Sequence, residues 1–323
     1  MLYPLLLDPI YQDYLWGGRE IITKYDRTAP AQKRYAESWE ICDRDDYNSK
    51  VHNGALKGRT LRALLREFPF EMYGTLHPPK QFPLLIKLID AHEHLSIQVH
   101  PDENAAKQFE SEPKTECWYI LDAKEDAQIF AGLKAPLTKE AFQKIAGTSA
   151  LPEAMHALNA KRSDVFFIPG GRLHAIGSGI LLLEIQQNSN TTYRIYDWGR
   201  TQDDGTPREL HIDQAIECAH LDDIASPKIS IEFLHTDEEC SVSSLIDCPY
   251  FSVKHIEAKK DLRLNKTEPG CEVLFFEHGE GTLIFENHTL AVSPGMSVLI
   301  PHICKQVTLE TEGVQFIVIR PKL

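Results

Sequence analysis

The sequence predicts a mainly β protein built from two barrel-like halves, with helical segments in the N-terminal half. Three observations support this fold class. Short apolar runs are separated by Gly, Pro and Asn turns, most regularly from Tyr250 to the C-terminus. A pattern of polar turn, apolar strand and proline occurs at 163–169 and again at 294–301. Helical apolar spacing is found only in short segments.

The elements of the chain follow from local patterns. The first 55 residues are expected to be extended and irregular, and Thr60 suits the N-cap position of a helix. Strands are predicted at 82–88, 96–100, 116–121, 164–168 and 180–187. Helices are predicted at about 58–70, from Pro101 to about Phe109, within a helical insertion at 135–162 that includes a helix at 151–160, and at 211–219.

A domain boundary is expected between residues 220 and 245, where the strong periodicity is lost. We place it after residue 235, which gives an N-terminal domain at 1–235 and an all-β C-terminal domain at 236–323. The chain of 323 residues is long enough for two domains, each with its own core.

Composition and charge exclude several classes of partner. The chain has 34 basic and 47 acidic residues, so its formal charge of −13 disfavours nucleic acid and anionic membrane. There is no run of 18 apolar residues, and the N-terminus lacks a basic region and a cleavage site, so neither a transmembrane helix nor a signal peptide is expected. An anionic substrate would therefore require a local basic pocket.

The seven cysteines indicate a reducing compartment. They are scattered singly along the chain and form no CxxC pair. An odd number without paired spacing is typical of reduced thiols, so we expect a cytoplasmic protein.

Four side chains of the metal-ligand type lie in three short segments. Gln98 and His100 are two residues apart in an apolar run, so both leave the same face of a strand. Glu116 begins a second strand-like run, and His174 follows a third strand that ends in Pro-Gly-Gly. Two imidazoles, an amide and a carboxylate suit zinc first and other divalent transition metals second. The set predicts a metal centre in the mouth of a small β-barrel.

Each of these residues also has a simpler interpretation. A lone histidine on an apolar strand is more often a core or surface residue than a ligand, and Glu116 alone would be a solvated strand residue. His92 and His94 share the spacing of Gln98 and His100 and are rival ligands, but we interpret them as surface residues of a polar turn. The combination at three strand ends favours the metal centre.

Further polar side chains are predicted to face the same pocket. Lys114 and Glu116 have the same strand parity, so an ammonium group and the carboxylate would lie side by side. Ser96 lies two residues before Gln98 in the same predicted strand, so its side chain is expected on the same face. The alternative for Lys114 is a solvated surface cation.

Glu184 and Arg194 flank a polar hairpin at 187–192 with strong turn chemistry, which would return Arg194 to the mouth of the barrel. Two alternatives remain open from the residues alone. Arg194 would be a surface strand residue paired with Asp197, and Glu184 a salt-bridged strand residue.

These segments resemble a known family. The repeated turn, strand and proline pattern is similar to the second motif of cupin jelly rolls, and the chain as a whole resembles type I phosphomannose isomerase, also called mannose-6-phosphate isomerase, in its short bacterial form. The resemblance rests on Trp16-Gly17-Gly18 and on segments 95–102, 114–119, 167–175 and 184–198, in the family's order.

Two departures from the family's pattern are visible. Ser163 stands where the cupin motif usually has glycine, which a turn tolerates. Arg172 lies close before His174, where smaller polar residues are common, and is expected to alter the rim of the site.

The resemblance implies two cupin-like jelly-roll barrels. The first, 1–235, would be the catalytic metal-binding domain and carry the helical segments. The second, 236–323, would be metal-free, because His302 after Pro301 has no matching donor cluster.

The resemblance also assigns roles to the site residues. Arg194 would be the catalytic arginine, Glu184 and Lys114 would be catalytic and line the substrate site, and Ser96 would lie near the phosphate or the sugar hydroxyls. One Zn²⁺ per chain is implied, with the ligands Gln98, His100, Glu116 and His174.

The implied reaction interconverts mannose 6-phosphate and fructose 6-phosphate through a cis-enediolate. The general base stays open between Glu184 and a zinc-bound water. Phosphate recognition is assigned to Lys114, with Lys87 and Arg200 as weaker candidates. The expected partner is a small sugar phosphate, and the chain is expected to be a monomer or weak homodimer.

Two other functions remain compatible with the residues. One is another cupin enzyme, such as an iron oxygenase or a different sugar-phosphate isomerase or epimerase. The other is a non-catalytic sugar-binding or regulatory protein that kept the barrel. The segments around Lys114 and Arg194 fit the first alternative poorly, and the intact set of candidate metal ligands argues against the second.

Overall fold

The computed structural model describes all 323 residues. Strands dominate, and the helices are short. One 3-10 helix covers Gly54–Leu56. The seven α-helices are α1 Glu20–Lys24, α2 Leu61–Glu67, α3 Pro69–Tyr73, α4 Glu103–Gln108, α5 Lys139–Ile145, α6 Leu151–Ala154 and α7 Ile212–Cys218. None of them has the length and apolar composition needed to cross a bilayer.

Twenty-two strands make up the rest of the regular structure. The first twelve are β1 Leu5–Leu6, β2 Ile10–Gln12, β3 Glu37–Ile41, β4 Leu84–Ala91, β5 Ile97–Val99, β6 Glu116–Ala123, β7 Gln128–Leu133, β8 Met155–Asn159, β9 Val165–Ile168, β10 His174–Ile176, β11 Ile180–Gln187 and β12 Tyr193–Tyr196. The last ten are β13 Glu232–Thr236, β14 Cys240–Asp247, β15 Phe251–Ala258, β16 Leu262–Asn265, β17 Glu272–Gly279, β18 Gly281–Phe285, β19 His288–Val292, β20 Ser297–Ile300, β21 Gln306–Glu310 and β22 Val314–Pro321.

The chain divides into two compact units. Unit 1 comprises Met1–Ile10, Trp39–Leu85 and Ser230–Leu323, and unit 2 comprises Tyr11–Ser38 and Ile86–Ile229. Unit 1 contains a seven-stranded sheet in the order β1-β20-β17-β22-β15-β14-β13 and a four-stranded sheet in the order β16-β21-β18-β19. Its core includes fully buried phenylalanines, among them Phe276 and Phe316, whose ring centroids are 5.6 Å apart.

Unit 2 contains the five-stranded sheet β12-β5-β10-β7-β8 and most of the six-stranded sheet β2-β3-β4-β11-β6-β9. Two apolar clusters form its core. One is centred on Trp118 and Phe166, and the other on Phe142 and the β5 residues Ile97 and Val99. The residues of the predicted metal centre all belong to this unit.

The predicted mainly β class is confirmed. Two antiparallel sheets in each unit are compatible with the predicted cupin-like jelly rolls, although the sheets do not close into barrels. The division into 1–235 and 236–323 rests on the loss of periodicity between residues 220 and 245 and stays a prediction. By compactness, residues 1–10 and 39–85 group with 230–323.

Two helices begin at capping side chains, and the first of these is the predicted N-cap Thr60. The Thr60 side chain accepts a hydrogen bond from the backbone N–H of Ala63 at the start of α2. The Asp102 carboxylate accepts hydrogen bonds from the N–H groups of Asn104 and Ala105 at the start of α4. Both side chains satisfy amide donors that have no partner within the helix.

The predicted helix at 151–160 is wrong beyond its first turn. The helix α6 ends at Ala154, and β8 follows at once as the edge strand next to β7. Side chains of β8 alternate between more and less buried positions, which is the period of a strand. Backbone pairing with β7 overrides the helical preference of these residues.

Ser163 has a left-handed backbone, with φ of +68°. This is the position where the cupin pattern favours glycine, because a Cβ atom is strained in that region. The Ser163 hydroxyl accepts a hydrogen bond from the Tyr119 hydroxyl at 3.2 Å, which offsets part of the strain.

We expect Ser163→Gly to be more stable than Ser163→Ala by about 1 kcal/mol in free energy of unfolding, because both lose the hydroxyl and only alanine keeps the strained Cβ. Urea denaturation followed by tryptophan fluorescence measures the difference. Equal stability of the two variants would show that the left-handed turn carries no measurable strain.

Candidate active site and metal centre

Three neighbouring strands carry one row of polar side chains. β5 lies between β12 and β10, and Gln98 on β5 is directly opposite both Arg194 on β12 and His174 on β10. Directly opposed residues of antiparallel strands point to the same face of the sheet. His100 lies just beyond the end of β5, and Glu116 is the first residue of β6. The predicted ligands therefore lie on or next to strand ends.

The four predicted ligands meet at one point. The Nε2 atoms of His100 and His174 are 3.2 Å apart. Glu116 places one carboxylate oxygen 3.5 Å from His100 Nε2 and the other 3.4 Å from His174 Nε2. The amide nitrogen of Gln98 is 3.2 Å from His174 Nε2, and rotation of the amide would bring its oxygen to that point. The two histidines and the glutamate are all buried and form one cluster of metal-ligand type.

Both imidazoles are held through their other ring nitrogen. His100 Nδ1 lies 2.8 Å from the carbonyl oxygen of Thr191, and His174 Nδ1 lies 2.8 Å from that of Arg172. A carbonyl oxygen can only accept, so Nδ1 carries the proton in each neutral ring and each Nε2 presents a lone pair. Two lone pairs this close repel each other unless a metal cation or a proton lies between them. Metal-binding histidines are oriented in this way.

Burial determines the charges of the cluster. Desolvation lowers the pKa of His174 to about 3 and the pKa of His100 well below its ordinary value, so both rings are neutral at physiological pH. Desolvation also raises the pKa of Glu116 to about 7, although the Lys114 ammonium lies 3.0 Å from its Oε2 and opposes that shift.

The donor set fits a divalent cation. Neither carboxylate oxygen of Glu116 has a partner that meets hydrogen-bond geometry, although the Lys114 ammonium is at ion-pair distance. Buried polar atoms rarely lack such a partner. Two neutral imidazoles, a carboxylate and an amide are donors that zinc accepts.

A cavity of about 280 Å³ opens beside the cluster. Its lining contains four cationic side chains and two carboxylates, a local formal charge of +2 in a chain of charge −13. It is lined by Tyr14, Trp16, Glu37, Lys87, Ile89, Leu95, Ser96, Gln98, Lys114, Ile176, Glu184, Asn190, Thr192, Arg194 and Arg208. The cavity therefore provides the local basic surface that an anionic substrate requires.

A buried chain of charges crosses one wall of the cavity. Lys87 Nζ lies 3.3 Å from Glu37 Oε2 and 3.2 Å from Glu184 Oε2, and Trp118 Nε1 donates to Glu184 Oε1 at 3.1 Å. Burial opposes the charge of Lys87, but the two carboxylates outweigh it and raise its pKa. Burial likewise opposes the charge of Glu184, but Lys87 and Lys114 lower its pKa, so Glu184 is ionised at neutral pH.

Arg194 lies at the cavity rather than on an open surface. Its Nη1 donates to the carbonyl oxygen of Glu209 at 2.7 Å, and its buried Nε has no hydrogen-bond partner. Burial and the nearby Arg208 lower the pKa of Arg194. Asp197, the expected partner in the surface interpretation, instead accepts hydrogen bonds from Arg200 and Arg208.

The chain was compared with known families and structures. The model of the type I phosphomannose isomerase catalytic domain matches residues 5–128, and the model of the mannose-6-phosphate isomerase cupin domain matches residues 241–321. A mannose-6-phosphate isomerase of Bacillus subtilis is 36% identical over 301 residues, 93% of each chain. The chain belongs to the type I phosphomannose isomerase family.

Solved structures agree with this assignment. The crystal structure of the mannose 6-phosphate isomerase from Bacillus subtilis is 31% identical, with a TM-score of 0.90 over 98% of this chain and 99% of that chain. Another mannose 6-phosphate isomerase, bound with zinc and yttrium, is 15% identical, with a TM-score of 0.78 over 99% and 100% of the two chains. At that identity the similarity shows the fold alone.

The chain is therefore an isomerase of the phosphomannose isomerase family. This favours the isomerase prediction over another type of cupin enzyme and over a non-catalytic sugar binder. Of the residues predicted for the site, Ser96, Gln98, Lys114, Glu184 and Arg194 line the cavity, and His100, Glu116 and His174 lie in the buried cluster beside it.

The structure does not favour Lys87 and Arg200 as phosphate contacts, or Arg172 as a residue of the rim. Lys87 lines the cavity, but its charge is balanced by two carboxylates. Arg200 is not part of the lining and bonds to Asp197. Arg172 is buried in an ion pair with Asp223 and does not form the rim.

Several cavity residues of this phosphomannose isomerase were missed in the sequence. Trp16 belongs to the Trp16-Gly17-Gly18 motif, to which the sequence patterns assigned no role. Arg208 lies in a polar segment that follows no strand pattern. Glu37 is the first residue of β3, and only the pairing of β3 with β4 brings it next to Lys87. No local spacing connects these residues, so only the fold reveals them.

Replacing His174 by alanine is expected to remove stoichiometric zinc, because one ligand and its backbone-oriented lone pair are lost. His92→Ala is the matched control, since His92 was a rival ligand in the sequence and is exposed in the structure. Elemental analysis after dialysis against a weak chelator measures bound metal. Full zinc occupancy in His174→Ala would contradict the ligand assignment.

Proposed function

We propose that the protein is a zinc-dependent aldose–ketose isomerase that interconverts mannose 6-phosphate and fructose 6-phosphate through a cis-enediolate. One observation carries this proposal. Two imidazoles with free Nε2 lone pairs and a carboxylate without normal hydrogen bonds meet beside a cationic cavity in a chain of this family. Gln98, His100, Glu116 and His174 would hold one zinc ion per chain.

The charge of the cavity supports a phosphorylated substrate. Lys87 lies between two carboxylates, whereas Lys114 has one carboxylate neighbour, Glu116, and Arg208 shares Asp197 with Arg200. Lys114, Arg194 and Arg208 are therefore the lining cations that carboxylates compensate least. Arg208 forms a two-point contact with Asp197, which orients its guanidinium group at the cavity. We assign Arg208 and Lys114 to the phosphate.

Ser96 and the polar ends of Asn190 and Thr192 are placed to bind sugar hydroxyl groups, because they line the same cavity. The hydroxyl of Ser96 belongs to a residue that is 3% exposed, so water competes poorly for it.

The chemical step moves one proton between C2 and C1 and a second between O2 and O1, while negative charge develops on these substrate oxygens. Arg194 is permanently charged, and its unpartnered Nε would donate to that charge without taking part in proton transfer. A bound zinc ion would supply Lewis-acid polarisation of a substrate oxygen. Arg194 lies in register with Gln98, so the two sources of stabilisation share one sheet face.

Glu184 is our candidate for the group that moves the proton. It lines the cavity and is ionised at neutral pH, which is the form that accepts a proton. The Trp118 indole and the Lys87 ammonium fix its position. Its lowered pKa limits the driving force it contributes, because a general base works best when its pKa lies near the operating pH.

We also infer a cytoplasmic location. All seven cysteines are free thiols with buried side chains. Such thiols persist where the surroundings are reducing.

The direct test is a coupled assay for conversion of mannose 6-phosphate to fructose 6-phosphate on zinc-loaded protein. Chelation is expected to reduce turnover by about 100-fold or more, because Lewis-acid stabilisation contributes several kcal/mol. One equivalent of zinc is expected to restore it. Unphosphorylated mannose serves as the substrate control, with much lower turnover. Absence of conversion by fully zinc-loaded protein would contradict the proposed function.

For phosphate recognition we expect Arg208→Gln to raise KM for mannose 6-phosphate at least about tenfold, because one charge-assisted hydrogen bond is lost. Arg200→Gln is the matched control, since both arginines bond to Asp197 and only Arg208 lines the cavity. Steady-state kinetics decide between them. A larger KM effect from Arg200→Gln would transfer the phosphate contact to Arg200.

A further inference from the structure

The Trp16-Gly17-Gly18 motif forms a turn beside the substrate cavity. Gly17 N–H donates to the carbonyl oxygen of Tyr14 at 3.0 Å, and Gly17 forms a β-bridge with Ala91 at the end of β4. The carbonyl oxygen of Trp16 accepts a hydrogen bond from Glu93 N–H at 3.0 Å. The side chains of Tyr14 and Trp16 line the cavity, so this turn presents its aromatic wall.

Both glycines are required by close packing. A Cβ atom on Gly17 would lie 2.4 Å from the Cβ of Ala36. A Cβ atom on Gly18 would lie 2.6 Å from Oδ2 of Asp90. Such distances are far below van der Waals contact, so the Asp90 carboxylate and Ala36, the residue before β3, limit where the turn lies.

Asp90 also holds the next residues of the chain. Its Oδ2 accepts a hydrogen bond from Glu20 N–H at 2.6 Å, at the first residue of α1. The N-cap residue Arg19 provides no side-chain hydrogen bond to this helix. Asp90, from a distant strand, therefore takes the role that an N-cap side chain usually has.

No ion pair offsets the cost of burying the Asp90 carboxylate. The residue is 3% exposed, and its cationic neighbours His92 and Lys124 favour the charged carboxylate without forming a salt bridge with it. Burial raises the pKa of Asp90 to about 6. A carboxylate in such surroundings is costly, and an apolar side chain would pack there at lower cost if packing were its only role.

The two faces of β4 line two different cavities. Lys87 and Ile89 line the substrate cavity, whereas Asp90 lines a second cavity of about 170 Å³ that shares no lining residue with the first. Asp90 therefore does not contact the substrate. The carboxylate of Asp90 can act on the cavity through Gly18 and Glu20, which lead to the aromatic turn.

We propose that Asp90 is a positioning residue, whose carboxylate fixes Gly18 and the start of α1 and thereby places Tyr14 and Trp16 against the bound sugar phosphate. This inference rests on the proposed isomerase function. The aromatic wall contacts substrate and transition state alike, so its displacement raises KM and leaves kcat unchanged.

The test compares Asp90→Ala with Asp90→Asn by steady-state kinetics on zinc-loaded protein. Asp90→Ala is expected to raise KM for mannose 6-phosphate about tenfold, with kcat within about twofold of wild type, as for the loss of one ground-state contact. Asp90→Asn keeps an acceptor oxygen for Glu20 N–H and is expected to restore KM to within about threefold of wild type.

Asp122→Asn is the matched control. Asp122 lines the same second cavity, but it pairs with Lys24 and does not contact Gly18. It is expected to show wild-type KM and kcat. Gly18→Ala is the second variant, because it displaces the turn while Asp90 stays intact, and it is expected to raise KM as Asp90→Ala does. It keeps the inference testable if Asp90→Ala does not fold.

Three results would overturn the inference: an unchanged KM in Asp90→Ala or Gly18→Ala, a parallel fall of kcat and zinc content, or an Asp90→Asn variant no better than Asp90→Ala. Each of them presumes an active wild type. A zinc-loaded wild-type protein without mannose 6-phosphate turnover would instead overturn the proposed function, and the inference with it.

Discussion

The site depends on one constraint, the burial of two neutral imidazoles and a carboxylate around a common point. His100 and His174 are each held by a backbone carbonyl through Nδ1, which leaves their Nε2 lone pairs 3.2 Å apart. Desolvation keeps the rings uncharged and disfavours the charge of Glu116. The two Nε2 lone pairs repel each other, but hydrogen bonds to the backbone hold both rings in place. A divalent cation bound between them would relieve this repulsion.

The cavity in unit 2 lies beside that cluster. The cavity concentrates positive charge within an acidic chain, which lets an anion bind against the overall field. Lys87 is balanced by Glu37 and Glu184, so its charge is structural rather than available to a ligand. The surplus comes from Lys114, Arg194 and Arg208, which reach the cavity from different segments of the chain.

Sequence patterns were informative wherever a residue and its neighbours share one strand. The parity of Gln98 and His100, and of Lys114 and Glu116, predicted pairs that the structure places together. The helix at 151–160 failed because its second half pairs with β7, a contact that local propensity does not contain. The role of Arg208 was missed for a similar reason, since it lies in an irregular segment.

The sequence by itself determined the mainly β class and the family resemblance, and it predicted the candidate metal ligands, because these follow from strand periodicity and from motifs of a few adjacent residues. Only the tertiary structure decided the pairing of Arg194 with Gln98, the neutralisation of Lys87 and the contact of Asp90 with Gly18. These depend on which strands become neighbours and how deeply each charge is buried. Both are properties of the folded chain, since they join residues far apart in sequence.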